Sequence, residues 1–289
     1  MNTMRRFVLI AMISAGAVRC VVIIGQNSTS SAKSVVTLQC DSPQPCVQML
    51  APGDRVDVKT MFITHADGTQ VALGTCFSEG SGGGKEDGGW IEDSNWPATG
   101  SVGSMTATFT VPALPSETGA LLYFFPGAQR KDSLILQPVL QYGCNKSFGG
   151  DYWTIASWLF NTKGWSFYSQ PIRVLSNDTI VGSMDSTCAS TACTWRITTT
   201  DSTTTQATTL VVDNLSPPPF NFYGGAFEAY NVTDCEKQYP ASRSLTFHDI
   251  AIKGPDGAVI KPAWGNNVLV TSQCKLGVWT DTTTTTLKY

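Results

Sequence analysis

Polar and apolar residues alternate with a period of two over many short runs of this chain. RVDVKTMFI, SMTATFTV, ALLYFF, LILQPVLQY, DYWTIASWLF, SQPIRVL, TIVGSM, TWRITTT, ATTLVV, FEAYNV, LTFHDIAI and NNVLVT are examples, and Gly, Pro, Asn or Asp bounds them. A strand sends successive side chains to opposite faces, so runs of this length and punctuation read as strands. No stretch sustains the 3.6-residue period of an amphipathic helix. About a dozen strands with almost no helix predict an all-β fold, a two-sheet antiparallel β-sandwich of the jelly-roll, concanavalin-like kind.

One run departs from simple alternation. In Ser133–Gly143, SLILQPVLQYG, the residues Leu134, Leu136, Pro138 and Leu140 share one face, and Ile135, Gln137, Val139 and Gln141 share the other. A buried primary amide without hydrogen bonds costs roughly 2–7 kcal/mol, so the second face should be a polar-lined groove or open to water. That makes the strand a candidate site wall.

The ends and the composition narrow the setting. Arg5 and Arg6, an apolar run from Phe7 to Ile13 and the small residues SAGA have the layout of a secretory signal peptide, cut after Ala17. The alternative is a short membrane anchor, but Arg19 interrupts an apolar run that stays below the roughly 20 residues needed to span. Residues 18–45 read as a leader, linker or propeptide, and 46–289 as a single β-sandwich domain. Charged residues make up only 14% of the 289, and the net charge of -3 leaves no basic field for nucleic acid.

Nine cysteines suit an exported chain. Setting Cys20 aside leaves an even set, in which the close pairs Cys40/Cys46 and Cys188/Cys193 are expected to bridge small loops; Cys76, Cys144, Cys235 and Cys274 cannot be paired from sequence. Zinc would call for C-x-x-C or neighbouring histidines, and His65 and His248 are far apart. Five N-x-[ST] sequons, at Asn27, Asn145, Asn177, Asn214 and Asn231, would place their loops at the surface if glycosylated.

The Gly-rich stretch Glu79–Trp90 fails the phosphate-loop spacing and reads as a flexible surface loop. The acidic group Glu86, Asp87, Glu92 and Asp93 reads as solvated loop rather than a calcium site. The threonine tracts at 198–209 and 282–286 read as strand edges or O-glycosylated segments.

The usual hydrolytic constellations are missing: there is no GxSxG elbow, no HExxH and no E-x-D-x-x-E strand. Glu228, in YGGAFEAYNV, is set among aromatic and small residues, and partial desolvation there should raise it above the ordinary value of about 4.3. A strand ILQ carrying Gln137, the aromatic segment DYWTIASW with Trp153 and Trp158, a strand with the single Glu228, and a late F-x-D strand with Phe247 and Asp249 together resemble the eqolisins, the secreted fungal glutamic peptidases. The likeness runs from about Gly100 to Lys261.

That resemblance implies a jelly roll whose concave face holds a Gln–Glu dyad. Glu228 would activate water and then protonate the leaving amine, and Gln137 would hold the water and donate to the oxyanion, with no cofactor and no metal. Trp153, Trp158, Gln141 and Tyr230 are the expected substrate-binding residues. Two functions follow as expectations. One is a secreted, monomeric acid endopeptidase acting on extracellular polypeptide. The other is a non-catalytic or glycan-binding jelly roll that uses the same face, since ring stacking and amide hydrogen bonds also suit sugars.

Overall fold

The structure is a computed structural model and describes residues 20–22, 38–40, 46–74, 89–131, 134–161, 164–189, 192–270 and 274–289. The sandwich expected from the alternation is present. The first sheet runs, in spatial order, Gly265–Val268, Gly89–Pro97, Asn221–Tyr230, Leu121–Gln129, Leu134–Cys144, Gly149–Asn161, Ser166–Ser169 and Val47–Leu50. The second runs Gly277–Thr280, Thr285–Lys288, Ser244–Lys253, Ser104–Thr110, Thr179–Ala189, Ala192–Asp201, Gln206–Leu215, Arg55–Asp57, Phe62–Thr64 and Gln70–Ala72. Both sheets are mixed rather than purely antiparallel. Val47–Leu50 pairs parallel with Ser166–Ser169, and Arg55–Asp57 pairs parallel with Gln206–Leu215.

Alternation holds best in the second sheet. Ser104–Thr110 buries Met105, Ala107 and Phe109 and leaves the intervening Thr and Ser side chains partly wet. Those apolar faces meet the inward residues of the first sheet in one core that contains Phe109, Ile180, Trp195, Ile197 and Phe247 from one side and Phe124, Leu140, Trp153 and Phe227 from the other. The threonine tracts are partly strand, closed by pairs such as Thr198–Thr209 and Thr246–Thr286, with 202–205 forming the turn between two strands and 282–284 leading into the last one.

The first sheet behaves differently, because its strand Leu134–Cys144 is buried on both faces. Its outer face carries a second apolar cluster of Phe125, Val139, Ala156, Trp158, Tyr168, Tyr223 and Ala226, with Trp90, Tyr123 and Phe148 partly covering it. This cover is why Ile135, Gln137, Val139 and Gln141 are buried rather than open to water.

Two disulfides tie the edges. Cys188–Cys193 closes the hairpin as expected, and Cys235–Cys274 joins a short helix, Cys235–Gln238, to the chain before the Gly277–Thr280 strand. Cys46 and Cys144 are disulfide-bonded as well. The Cys40 side chain, and with it the expected Cys40–Cys46 closure, is not described, and Cys76, Asn27 and most of the glycine-rich stretch lie outside the described residues. Glu92 and Asp93 are not solvated loop: they sit on the Gly89–Pro97 strand and are buried. No helix among the described residues is long and apolar enough to cross a membrane.

Candidate functional site

The outer face of the first sheet is laid out by register. Glu228 stands beside Tyr123, Tyr123 beside Gln141, and Gln141 beside Thr154, which forms one row across four strands. Gln137 belongs to a different row, next to Trp158, which in turn pairs with Tyr168. On its other side the strands part. Leu136 pairs with Ala128 and Leu140 with Phe124, but the ladder is interrupted between them, where Pro126 and Pro138 have no N–H to give.

Gln137 and Glu228 therefore share a face without meeting. Two strand spacings and four residues separate them, which is ~16 Å between Cα atoms at ~4.8 Å per strand and ~3.3 Å per residue. Both side chains project from the sheet, so one water does not bridge them, and the expected dyad is not assembled. The position that faces Gln137 across Gly127 is taken by Tyr223, whose hydroxyl donates to Gln129 Oε1.

Gln137 is only 6% exposed, and among the described residues its carboxamide makes no hydrogen bond. A buried amide in this condition has donors and an acceptor left for a ligand or a water. Gln141 does not. Its Nε2 donates to Gly143 O and Phe148 O, and its Oε1 accepts from Asn145 Nδ2. It pins the 143–149 turn, so the substrate-binding role expected for Gln141 is replaced by a structural one.

Asn145 is buried in the same clamp, and its Oδ1 accepts from the backbone of Ser147 and Phe148. That sequon is not a surface loop, unlike those at Asn177, Asn214 and Asn231, which are exposed. Gly149 makes the turn possible with φ +105°, and a Cβ there would come within 2.1 Å of Gly143 O and 2.5 Å of Gln141 Nε2. Gly149→Ala is expected to cost more than ~1 kcal/mol and to speed hydrogen exchange of the Phe148 amide, both measurable against the wild type.

The tryptophans separate cleanly. Trp153 points into the core against Tyr142 and Phe124, so it is not a substrate-binding residue. Trp158 is on the outer face but only 8% exposed, and it stacks with both Phe148 and Tyr168. Its ring is already committed to neighbours rather than standing free for a sugar. Asp249 is an exposed residue beside His248, away from this face.

Glu228 is half-buried, between Tyr123 on one side and Trp90 on the other. The Tyr230 hydroxyl donates to Glu228 Oε2 at 3.2 Å. Burial drives the Glu228 carboxyl up to about 7, against the pull of the Tyr230 hydrogen bond. Tyr123 is also pushed up, by burial and by the Glu228 charge, and it is hydrogen-bonded with Asn145. Tyr123 and Asn145 thus join the site, although no motif in the sequence marks them.

On the next strand, Trp90 packs against Phe125 and Tyr223 at 5.5 and 5.0 Å between centroids. Its indole N–H donates to Asp93, which also accepts from Asn95 and Asn267. Burial raises Asp93, and its three donors hold it in place as the anchor of Trp90 rather than as a free acid. Among the described residues no group of three or more His, Cys, Asp or Glu side chains is placed to hold a metal ion.

No protein-family model matches the chain, and no curated protein matches its sequence. Solved structures do match in shape. Scytalido-glutamic peptidase with a peptide-based transition state analog superposes with TM-score 0.50 at 19% identity, over 70% of this chain and all of that one. The same peptidase with another transition state analog inhibitor gives 0.50 at 18% identity, over 70% and 98%. SCP-B, a member of the eqolisin family in complex with a tripeptide, gives 0.47 at 18%, over 70% and 98%. The chain shares the fold of these glutamic peptidase structures, at 18–19% identity.

Proposed function

We propose that this protein is exported and binds extended polypeptide across the outer face of its first sheet, with the Gln137 carboxamide holding a peptide group, and that it lacks the Gln–Glu route to hydrolysis. The observation that carries this reading is the Gln137 amide, buried, unpartnered among the described residues and ~16 Å from Glu228 between Cα atoms, at the strand spacings used above. A neutral amide with two donors and one acceptor complements a peptide group. The likeness to a peptidase solved with a peptide-based inhibitor supports polypeptide as the ligand. Sugar is disfavoured because Trp158 and Tyr168 are stacked on each other and on Phe148. The signal-like N-terminus and the disulfides support export.

Titration of the protein with a fluorescent unfolded polypeptide and with a polysaccharide tests the proposal. Saturable binding of the polypeptide alone is expected; binding of the polysaccharide alone would overturn it.

A second reading, hydrolysis by Glu228, is favoured by its half-buried carboxyl beside two phenols. It has a definite pH signature. A base must be ionised to activate water, and with a value of about 7 Glu228 is neutral at pH 3–5. Any cleavage that uses Glu228 as base should rise with pH to a plateau above about 7, the reverse of the acid optimum expected from the sequence. A pH–rate profile of polypeptide cleavage reads this directly.

A further inference from the structure

Glu92 lies next to Asp93 on the Gly89–Pro97 strand but points the opposite way, into the space between the sheets, where it is fully buried. Its Oε2 accepts the backbone N–H of Gly277 at 2.9 Å, and the backbone N–H of Lys288 also donates to this carboxyl. Those two residues are paired with each other in the strand pair Gly277–Thr280 and Thr285–Lys288. The Glu92 carboxyl therefore fastens the edge strand pair of the second sheet to Gly89–Pro97, the strand next to an edge of the first. The other oxygen, Oε1, has no partner.

The surroundings offer no counter-charge. Phe227 and Val268 flank Glu92 in the ladder. The titratable groups that face it are Tyr239 from the segment after the short helix and Tyr289 following the last strand, while Asp93, on the other face of its own strand, acts on it by charge alone. Arg243 lies beyond Tyr289 and is engaged with Cys235 O and with Glu236. Among the described residues no Lys, Arg or His side chain pairs with Glu92.

We propose that Glu92 is an acid latch: as a neutral carboxyl it holds the C-terminal strand pair in place, and its ionisation in neutral to alkaline medium releases that pair. The neutral acid keeps Oε2 as acceptor for the Gly277 N–H and carries its proton on the unpartnered Oε1. The ion would be an uncompensated charge in an apolar layer beside Asp93.

Burial raises the carboxyl to about 8, more than the two N–H groups lower it, and Asp93 adds to the rise. The folded state therefore holds a proton that the unfolded chain gives up near 4.5. The contribution to stability is complete below about 4.5 and is lost as pH rises to about 8 and beyond.

Equilibrium unfolding and hydrogen exchange between pH 5 and 9 test the latch. The unfolding constant of the wild type is expected to rise on the order of a thousandfold across this range through Glu92. Glu92→Gln, which keeps the acceptor and cannot ionise, should remove most of that rise, whereas Glu228→Gln should leave most of it. If Glu92→Gln fails to fold, the wild type alone decides. After correction for intrinsic exchange, the amides of Gly277 and Lys288 should lose protection with rising pH before those of the Thr179–Ala189 strand. Equal pH slopes for wild type and Glu92→Gln, or unchanged protection of Gly277 and Lys288 from pH 5 to 9, would overturn the proposal.

Discussion

Replacing Gln137 by leucine is expected to weaken polypeptide binding ~10–100-fold and to leave the folded state as stable as before, or slightly more so. The two effects have different origins. A peptide group that loses its amide partner in a buried site forfeits roughly 1.5–3 kcal/mol, which is the stated change in affinity. Within the folded chain, by contrast, nothing is lost, because Gln137 makes no hydrogen bond among the described residues. Leucine fills a similar volume and removes a desolvated amide. Fluorescence titration and urea unfolding on the same preparation separate the two. A mutant that lost stability together with binding would show that the amide serves the fold.

Phe227→Ala is expected to cost about 3–5 kcal/mol, the range for truncating a fully buried phenylalanine. Phe227 is 0% exposed and stacks face to face on Phe124, with centroids 4.6 Å apart and planes 3° from parallel. Tyr289 and Tyr239 close around it at 5.1 and 5.2 Å. These rings come from the first sheet, from the chain after the short helix and from the residue that follows the last strand, so little local relaxation can fill the gap. The denaturation midpoint should fall with an unchanged slope on denaturant, and the residual fold should still carry Glu228 on the outer face. Midpoints within about 1 kcal/mol of wild type would mean that this cluster is not close-packed.

Much of the fold was legible because the second sheet obeys a simple rule. Strands such as Ser104–Thr110 have one dry and one wet face, and the period of two shows in the residues. Gly89–Pro97, GWIEDSNWP, is a strand that this rule does not find. Glu92 points into the core and Asp93 into the outer cluster, so both faces carry acids and the segment reads as loop. Thr285–Lys288 is similarly hidden in a run of threonines.

The site was legible residue by residue but not as an assembly. The face of Gln137 followed from parity alone, and so does the separation of Trp153 from Trp158: an odd spacing along one strand sends them to opposite faces. The distance between Gln137 and Glu228 did not follow, because it depends on which strands are neighbours and in what register. Tyr123 lies between Glu228 and Gln141 for that reason, and no local pattern announces it. Likewise the amide of Gln141 was spent by a turn whose geometry rests on Gly149 and Asn145.

Incubating the wild-type protein with an unfolded polypeptide from pH 3 to 9, and following both complex formation and new amino termini, tests the parting of Gln137 from Glu228 most directly. The expected result is binding with the polypeptide left intact, reduced by Gln137→Leu and little changed by Glu228→Gln. Cleavage by the wild type that either substitution alone abolishes would show the two side chains acting as one catalytic pair, and would contradict the separation derived from the register.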